Sequence, residues 1–247
     1  MRDLLKAEWL KAWSGRTWWI MAVVALFMGL LGSSGAAAVG DQQLDEGVTD
    51  AAAVTAEMVR AWFSALLGSL LFGAVFVSRE YGSGAVNRSA LLCGGRTRLF
   101  TAKAAVGTAM GALFALLAAA LAPASAYAFA GLFGFDVVWG GEATRTLLGV
   151  TTVVVLAAPW GVMLGWLIRN QAATVAIALV LTLFVDETLF LLLPEVGRFT
   201  MQVAMGSVYL DGKEDALPVP FALAVIGGWL ALAGFLARRR LVSRDIA

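Results

Sequence analysis

The chain has no histidine, one cysteine and five prolines among 247 residues, and charged side chains make up only 14% of it. Without an imidazole, acid–base and metal chemistry that relies on histidine is excluded. The lone Cys93 leaves no intramolecular disulfide and no thiolate metal site. Its place in a basic loop suits a reduced thiol packed as a small apolar filler. There is no Walker A pattern, no Gly-x-Ser-x-Gly and no His-Glu-x-x-His. The nearest glycine-rich stretch, Gly82-Ser83-Gly84, lacks the lysine and helix context of a phosphate loop. No catalytic residue, bound cofactor or metal site is therefore expected on this chain, and no nucleic-acid partner. Any use of ATP belongs to another chain.

What the sequence does have is apolar length. Hydrophobic residues make up 60% of it and the mean hydropathy is +0.83, against roughly 45–50% apolar and 25% charged residues in soluble domains. This composition predicts an all-α integral membrane protein. A span needs about 20 mostly apolar residues, and six stretches meet that requirement: 17–39, 58–77, 104–130, 145–168, 172–193 and 221–237. The third contains Pro123 and is expected to kink or end early. The sixth is short, so its start is expected nearer Pro218. Trp18, Trp19, Trp62, Trp139 and Trp166 fall near span ends, where an amphipathic ring prefers the membrane interface. No internal repeat or linker divides the chain, so residues 1–247 read as one membrane domain.

Cations set the topology. Arg2, Lys6, Lys11 and Arg16 precede the first span. Arg79, Arg88, Arg96, Arg98 and Lys103 lie between the second and third, Arg169 follows the fourth, and Arg238, Arg239, Arg240 and Arg244 close the chain. Only Arg60, Arg145, Arg198 and Lys213 fall on the other side, so both termini are expected in the cytoplasm. The localisation implied is a multi-pass protein of a cytoplasmic membrane, of bacterial type. Residues 1–16 are expected to form an interfacial helix with Leu5, Trp9, Ala12 and Trp13 on its apolar face and Arg2, Lys6 and Glu8 off it, or else to be a basic leader that only sets orientation. The acidic stretch 41–57 is expected to run as a short helix into the second span. Residues 194–220, long and fairly apolar, suit re-entrant or interfacial helices.

Gly107 with Gly111, Gly161 with Gly165, Ser64 with Gly68, and Ser69 with Gly73 have the small-xxx-small spacing that lets helix backbones approach. Ordinary packing within one subunit accounts for most of them. Asp186 and Glu187 are costly inside a span, and two readings stand: they mark a helix break before Pro194, or they line a substrate path and meet a cationic group of the cargo. The second reading also allows an alternative function, an ion- or proton-coupled secondary transporter acting alone.

The loop at 79–103 carries five cations against one acid, Glu80. Its run Glu80-Tyr81-Gly82-Ser83-Gly84, followed by Arg88, Leu91, Leu92, Arg96-Thr97-Arg98 and Lys103, resembles the permease subunits of ABC-2 type transporters. The leader with Glu8, Trp9 and Lys11 and the six-span layout are also similar to that family. Ala85 stands where the family often has Thr, and Asn87 where a basic residue is common. The resemblance implies two six-span permease subunits, a homodimer or a pair of sister permeases, in membrane lipid. Each works with a cytoplasmic ABC ATPase that holds the ATP and Mg. It implies further that Glu80, Tyr81, Gly84, Arg88 and Leu91 dock a short coupling helix onto that ATPase, with Ser83 as its N-cap. Spans this apolar suit an amphipathic or lipid-like cargo, such as a peptide antibiotic, drug or lipid, and the resemblance implies that the direction is export.

Overall fold

The structure is a computed structural model and describes residues 1–243. Arg244, counted in the charge pattern above, lies outside the described residues. The described chain is helical throughout its ordered elements. A leader helix α1 (Arg2–Ser14) turns at Gly15 into α2 (Thr17–Asp45). The acidic stretch then forms α3 (Ala51–Arg60), capped by the Asp50 carboxylate, which accepts from the Ala53 N–H at 2.8 Å. One tight 3-10 turn joins α3 to α4 (Ala65–Gly82). A short α5 (Ala85–Leu92) leads into α6 (Arg96–Phe133) and then α7 (Gly141–Ile168). The next segment is α8 (Gln171–Val180), one wider π turn (Leu181–Val185) and α9 (Asp186–Leu192). Two short helices, α10 (Pro194–Gly197) and α11 (Met201–Val208), precede α12 (Val219–Ser243). Six of these segments are long and apolar enough to cross a membrane: α2, α3 through α4, α6, α7, α8 through α9, and α12.

The core lies where α4, α6 and α7 meet, and small residues bring them together. A Cβ added at Gly161 of α7 would run into the Leu70 carbonyl of α4, and one at Gly73 of α4 into the Ala158 carbonyl of α7. On α6, Gly107 faces Val162 and Gly111 faces Ala158, while the Ser69 hydroxyl donates to the Val154 carbonyl at 2.7 Å. The small-xxx-small pairs thus serve contacts within one subunit. Close backbone approach adds dispersion contacts that no lipid tail supplies.

Three expectations change. α6 runs through Pro123 to Phe133 without a break. In hydrocarbon, ending a helix strands several backbone groups whereas an internal proline forfeits one hydrogen bond, so continuation is the cheaper course. Trp62 and Trp166 are each only 1% exposed and sit in the core, not at an interface. The Trp62 indole N–H donates to the Ser125 hydroxyl at 2.9 Å, satisfying its one polar group inside the bundle. Finally, the helix does not break at Asp186 and Glu187. It continues to Leu192 and stops at the residue before Pro194, where the proline ring disfavours helical backbone.

Candidate functional site

At the end of the bundle that carries α5, four charges from three segments form a closed cluster. Glu8 comes from α1, Glu80 from the last turn of α4, Lys11 from α1 and Lys103 from α6. Lys103 Nζ lies 2.8 Å from Glu8 Oε2 and 2.8 Å from Glu80 Oε1, with no exposed surface of its own. Lys11 Nζ lies 2.6 Å from Glu8 Oε1 and 3.3 Å from Glu80 Oε1. Each lysine therefore bridges both carboxylates, and the four charges sum to zero. The Phe76 ring sits 4.3 Å from Lys103 Nζ and gives the buried ammonium a cation–π face.

The cluster reaches α5 as well. Lys11 Nζ donates to Ser89 Oγ at 3.2 Å, and the Arg79 guanidinium donates to the Lys11 carbonyl at 2.9 Å. Burial pushes the Glu8 carboxyl up, but Lys103 and Lys11 outweigh that and hold it below its ordinary value. Burial pushes Lys11 down, yet its hydrogen bond to Glu8 and the field of Glu80 outweigh that and hold it above the usual lysine value.

Glu8 was expected off the apolar face of α1 and is 1% exposed instead. Leu5, Glu8 and Ala12 follow one another at spacings of three and four, so they share the face that meets the bundle, while Trp13 turns outward. The readable signal was charge arithmetic. The leader sets two acids, Asp3 and Glu8, among four cations, the basic loop sets Glu80 alone among five, and Lys103 enters the third span at a position facing Glu8 and Glu80.

The sequence-predicted docking residues divide into two groups. Glu80 and Tyr81 point inward: Glu80 is in the charge cluster, and the Tyr81 ring meets Trp166 edge-on at 6.0 Å, with the Arg169 guanidinium 5.6 Å from its centre. Gly84, Arg88 and Leu91 lie on the outside. Gly84 has φ +65° and starts α5 from the left-handed region, where glycine is favoured. Gly94 and Gly95, at φ +70° and +135°, redirect the chain after it. Ser83 does not cap α5. Its hydroxyl turns back to the Arg79 and Glu80 carbonyls and closes α4.

Along α5, Val86 and Ala90 are buried against the bundle, whereas Asn87, Arg88, Leu91 and Leu92 are exposed. The two leucines are each 83% exposed. The helix has eight residues, or about 12 Å of length. Arginines tie down the helix ends around it. The Arg169 side chain donates to the Arg240 carbonyl at 2.7 Å, and the Arg240 side chain donates to the Leu167 carbonyl at 2.6 Å. Arg96 donates to the Leu241 and Val242 carbonyls. These cations meet the carbonyls that helices leave unpaired at their C-termini.

A family model described as ABC-2 family transporter protein matches residues 4–185, well over half of the chain. The chain belongs to that family. No curated protein matches it. As an ABC-2 family transporter protein with six membrane-length apolar helices, it is a multi-pass membrane protein and a permease subunit, of a family that works in general with an ABC ATPase subunit. The matched region contains the leader, the charge cluster and α5, and stops one residue short of Asp186.

At the far side of that boundary the two acids part company. Asp186 is buried, and its Oδ2 accepts from the Gln202 N–H of α11 at 2.8 Å. Glu187 pairs instead with Lys213 at 2.6 Å, in the loop before α12. The two do not form one site.

Proposed function

We propose that this chain is the permease subunit of an ATP-driven exporter, with both termini in the cytoplasm. It would move an amphipathic or lipid-like substrate across the cytoplasmic membrane with a second permease copy or a sister permease. ATP and Mg are held by a separate cytoplasmic ATPase, and α5 is the coupling helix that meets it. The observation that carries this reading is the outward face of α5. Two adjacent leucines and Arg88 stand exposed on a rigid turn, at the end of the molecule where the cations gather. Exposed apolar residues grouped beyond a membrane span mark a protein contact.

Glu80 and Tyr81 serve as positioning residues in this reading. Glu80 holds Lys11 and Lys103, and Lys11 reaches Ser89 on α5, so a displacement of α5 by the ATPase is passed to α1 and to the inner ends of the second and third spans. The tight clasp of charges makes that delivery rigid.

The test is affinity purification of the full chain from its host in mild detergent, with mass spectrometry of co-purifying proteins. The wild type is expected to bring a Walker-type ATPase, and Arg88→Glu with Leu91→Asp to lose it while eluting as the same species. Recovery of the ATPase undiminished with that variant would remove α5 as the contact.

A further inference from the structure

Between α4, α7, the π turn, α11 and α12 lies a cavity of about 260 Å³. Leu66, Leu70, Leu181 and Met205 make its walls apolar, and Trp160 and Trp229 stand on one side of it. The two rings meet edge to face with centres 6.2 Å apart. Trp229 is held in place by its indole N–H, which donates to the Phe199 carbonyl at 2.8 Å. Thr182 and Asp186, four residues apart across the π turn, both line the cavity, and each is 8% exposed. Single π turns inside α-helices recur at functional sites because they shift side-chain register.

Asp186 has one oxygen engaged by the Gln202 N–H. Among the described residues no lysine or arginine pairs with it, in contrast to Glu187 with its Lys213 partner. A carboxylate in an apolar cavity without a cation is costly, and such residues within spans mark ligand or ion paths. Leu181 is ten residues beyond Gln171, about 15 Å along the helix, and Asp186 lies five residues further on. An apolar cavity of roughly 150 Å³ holds one benzene ring. By the same scale this one takes a molecule of about ten non-hydrogen atoms.

We propose that this cavity is a binding site for organic cations: an aryl- or alkylammonium group whose charge rests against Asp186 and whose apolar part lies beside Trp160 and Trp229. Its meaning as a cargo site rests on the exporter reading above, but its occupancy does not. A carboxylate and aromatic faces favour the same charge sign, the apolar walls favour a hydrocarbon body, and anions are repelled. The site thus selects the positively charged subset of amphipathic molecules.

Three isosteres of about ten non-hydrogen atoms separate charge from shape: phenyltrimethylammonium, neutral tert-butylbenzene and anionic benzenesulfonate. The full chain in zwitterionic lipid nanodiscs is dialysed against labelled phenyltrimethylammonium, with empty discs as the blank and the other two as competitors. Saturable binding is expected, with tert-butylbenzene competing about tenfold more weakly or worse and benzenesulfonate not at all. Asp186→Asn keeps an acceptor for the Gln202 N–H and should weaken binding about tenfold, while Glu187→Gln changes it less than about twofold. Trp229→Leu, at a partly exposed position, should also weaken it, and it carries the mutational test if the Asp186 variant misfolds.

Binding that does not saturate, equal competition by all three isosteres, or undiminished affinity in folded Asp186→Asn would overturn the assignment. No ATPase takes part in the measurement. Its failure therefore leaves the coupling proposal standing, and loss of the ATPase contact leaves this site standing.

Discussion

Replacing Lys103 by Met keeps the length of the side chain and removes its charge. Lys103 is fully buried and sits 2.8 Å from both Glu8 and Glu80, so the substitution leaves two buried carboxylates sharing the partly exposed Lys11. Breaking a buried ion pair by removing one partner costs about 3–5 kcal/mol, because the remaining charge keeps its desolvation penalty. For a chain of this size that corresponds to a fall in the unfolding midpoint on the order of 10 °C. Pairing Lys103→Met with Glu80→Gln removes one charge of each sign and leaves Glu8 with Lys11, so most of the loss should return. Thermal unfolding of the four species in one detergent, followed by near-UV circular dichroism, measures both effects. If Lys103→Met unfolds within about 2 °C of wild type, or the double variant is as unstable as the two single losses added together, the clasp described here does not hold the fold.

Three further outcomes follow from the helix packing and from the charges of the clasp. Gly161→Val presses a side chain into the Leu70 carbonyl, and overpacking of this kind costs at least about 1–3 kcal/mol. Gly228→Ala, inside α12 with nothing within 4 Å of the added methyl, should leave stability unchanged or raise it by up to about 1 kcal/mol in the same assay. For pH, Glu8 is held below its ordinary 4.5, so its contribution is complete above that value and is lost as pH falls through the lowered folded one. Lys11 is held above its ordinary 10.5, so its contribution is complete below that value and is lost as pH rises through the raised one. Neither of these two groups therefore adds a slope to a midpoint-against-pH curve between these limits. Glu8→Gln should lower the plateau and flatten the acid limb, and an unchanged acid limb in that variant would show that Glu8 is not its source.

Much of this architecture was open to reading. Six runs of apolar residues gave the membrane-length helices, the acidic stretch 41–57 pointed to a helix leading into the second span, and the family resemblance implied a short helix where α5 stands. What hydropathy hides is partnership across the sequence. Glu80 looked like the leading residue of a surface motif, and only its distance to Lys103 and Lys11 places it inside. Trp62 and Trp166 looked like interface anchors because position along a span says nothing about which face meets lipid. The separation of Asp186 from Glu187 depends on helical phase across a π turn and on where residues 202 and 213 return, neither of which a local pattern records.

The charge clasp also makes α1 and α5 a single mechanical body. Glu8 and Glu80 hold the same lysines, and Lys11 reaches Ser89 on α5. On the coupling reading proposed above, a push on α5 passes to α1 through the Lys11–Ser89 hydrogen bond. The Trp9, Trp13 and Trp18 rings, stepped edge to face at the elbow between α1 and α2, lie at the far end of that lever. If α5 is the coupling helix proposed above, the fluorescence of these rings would report its displacement without a label on the face of α5 itself.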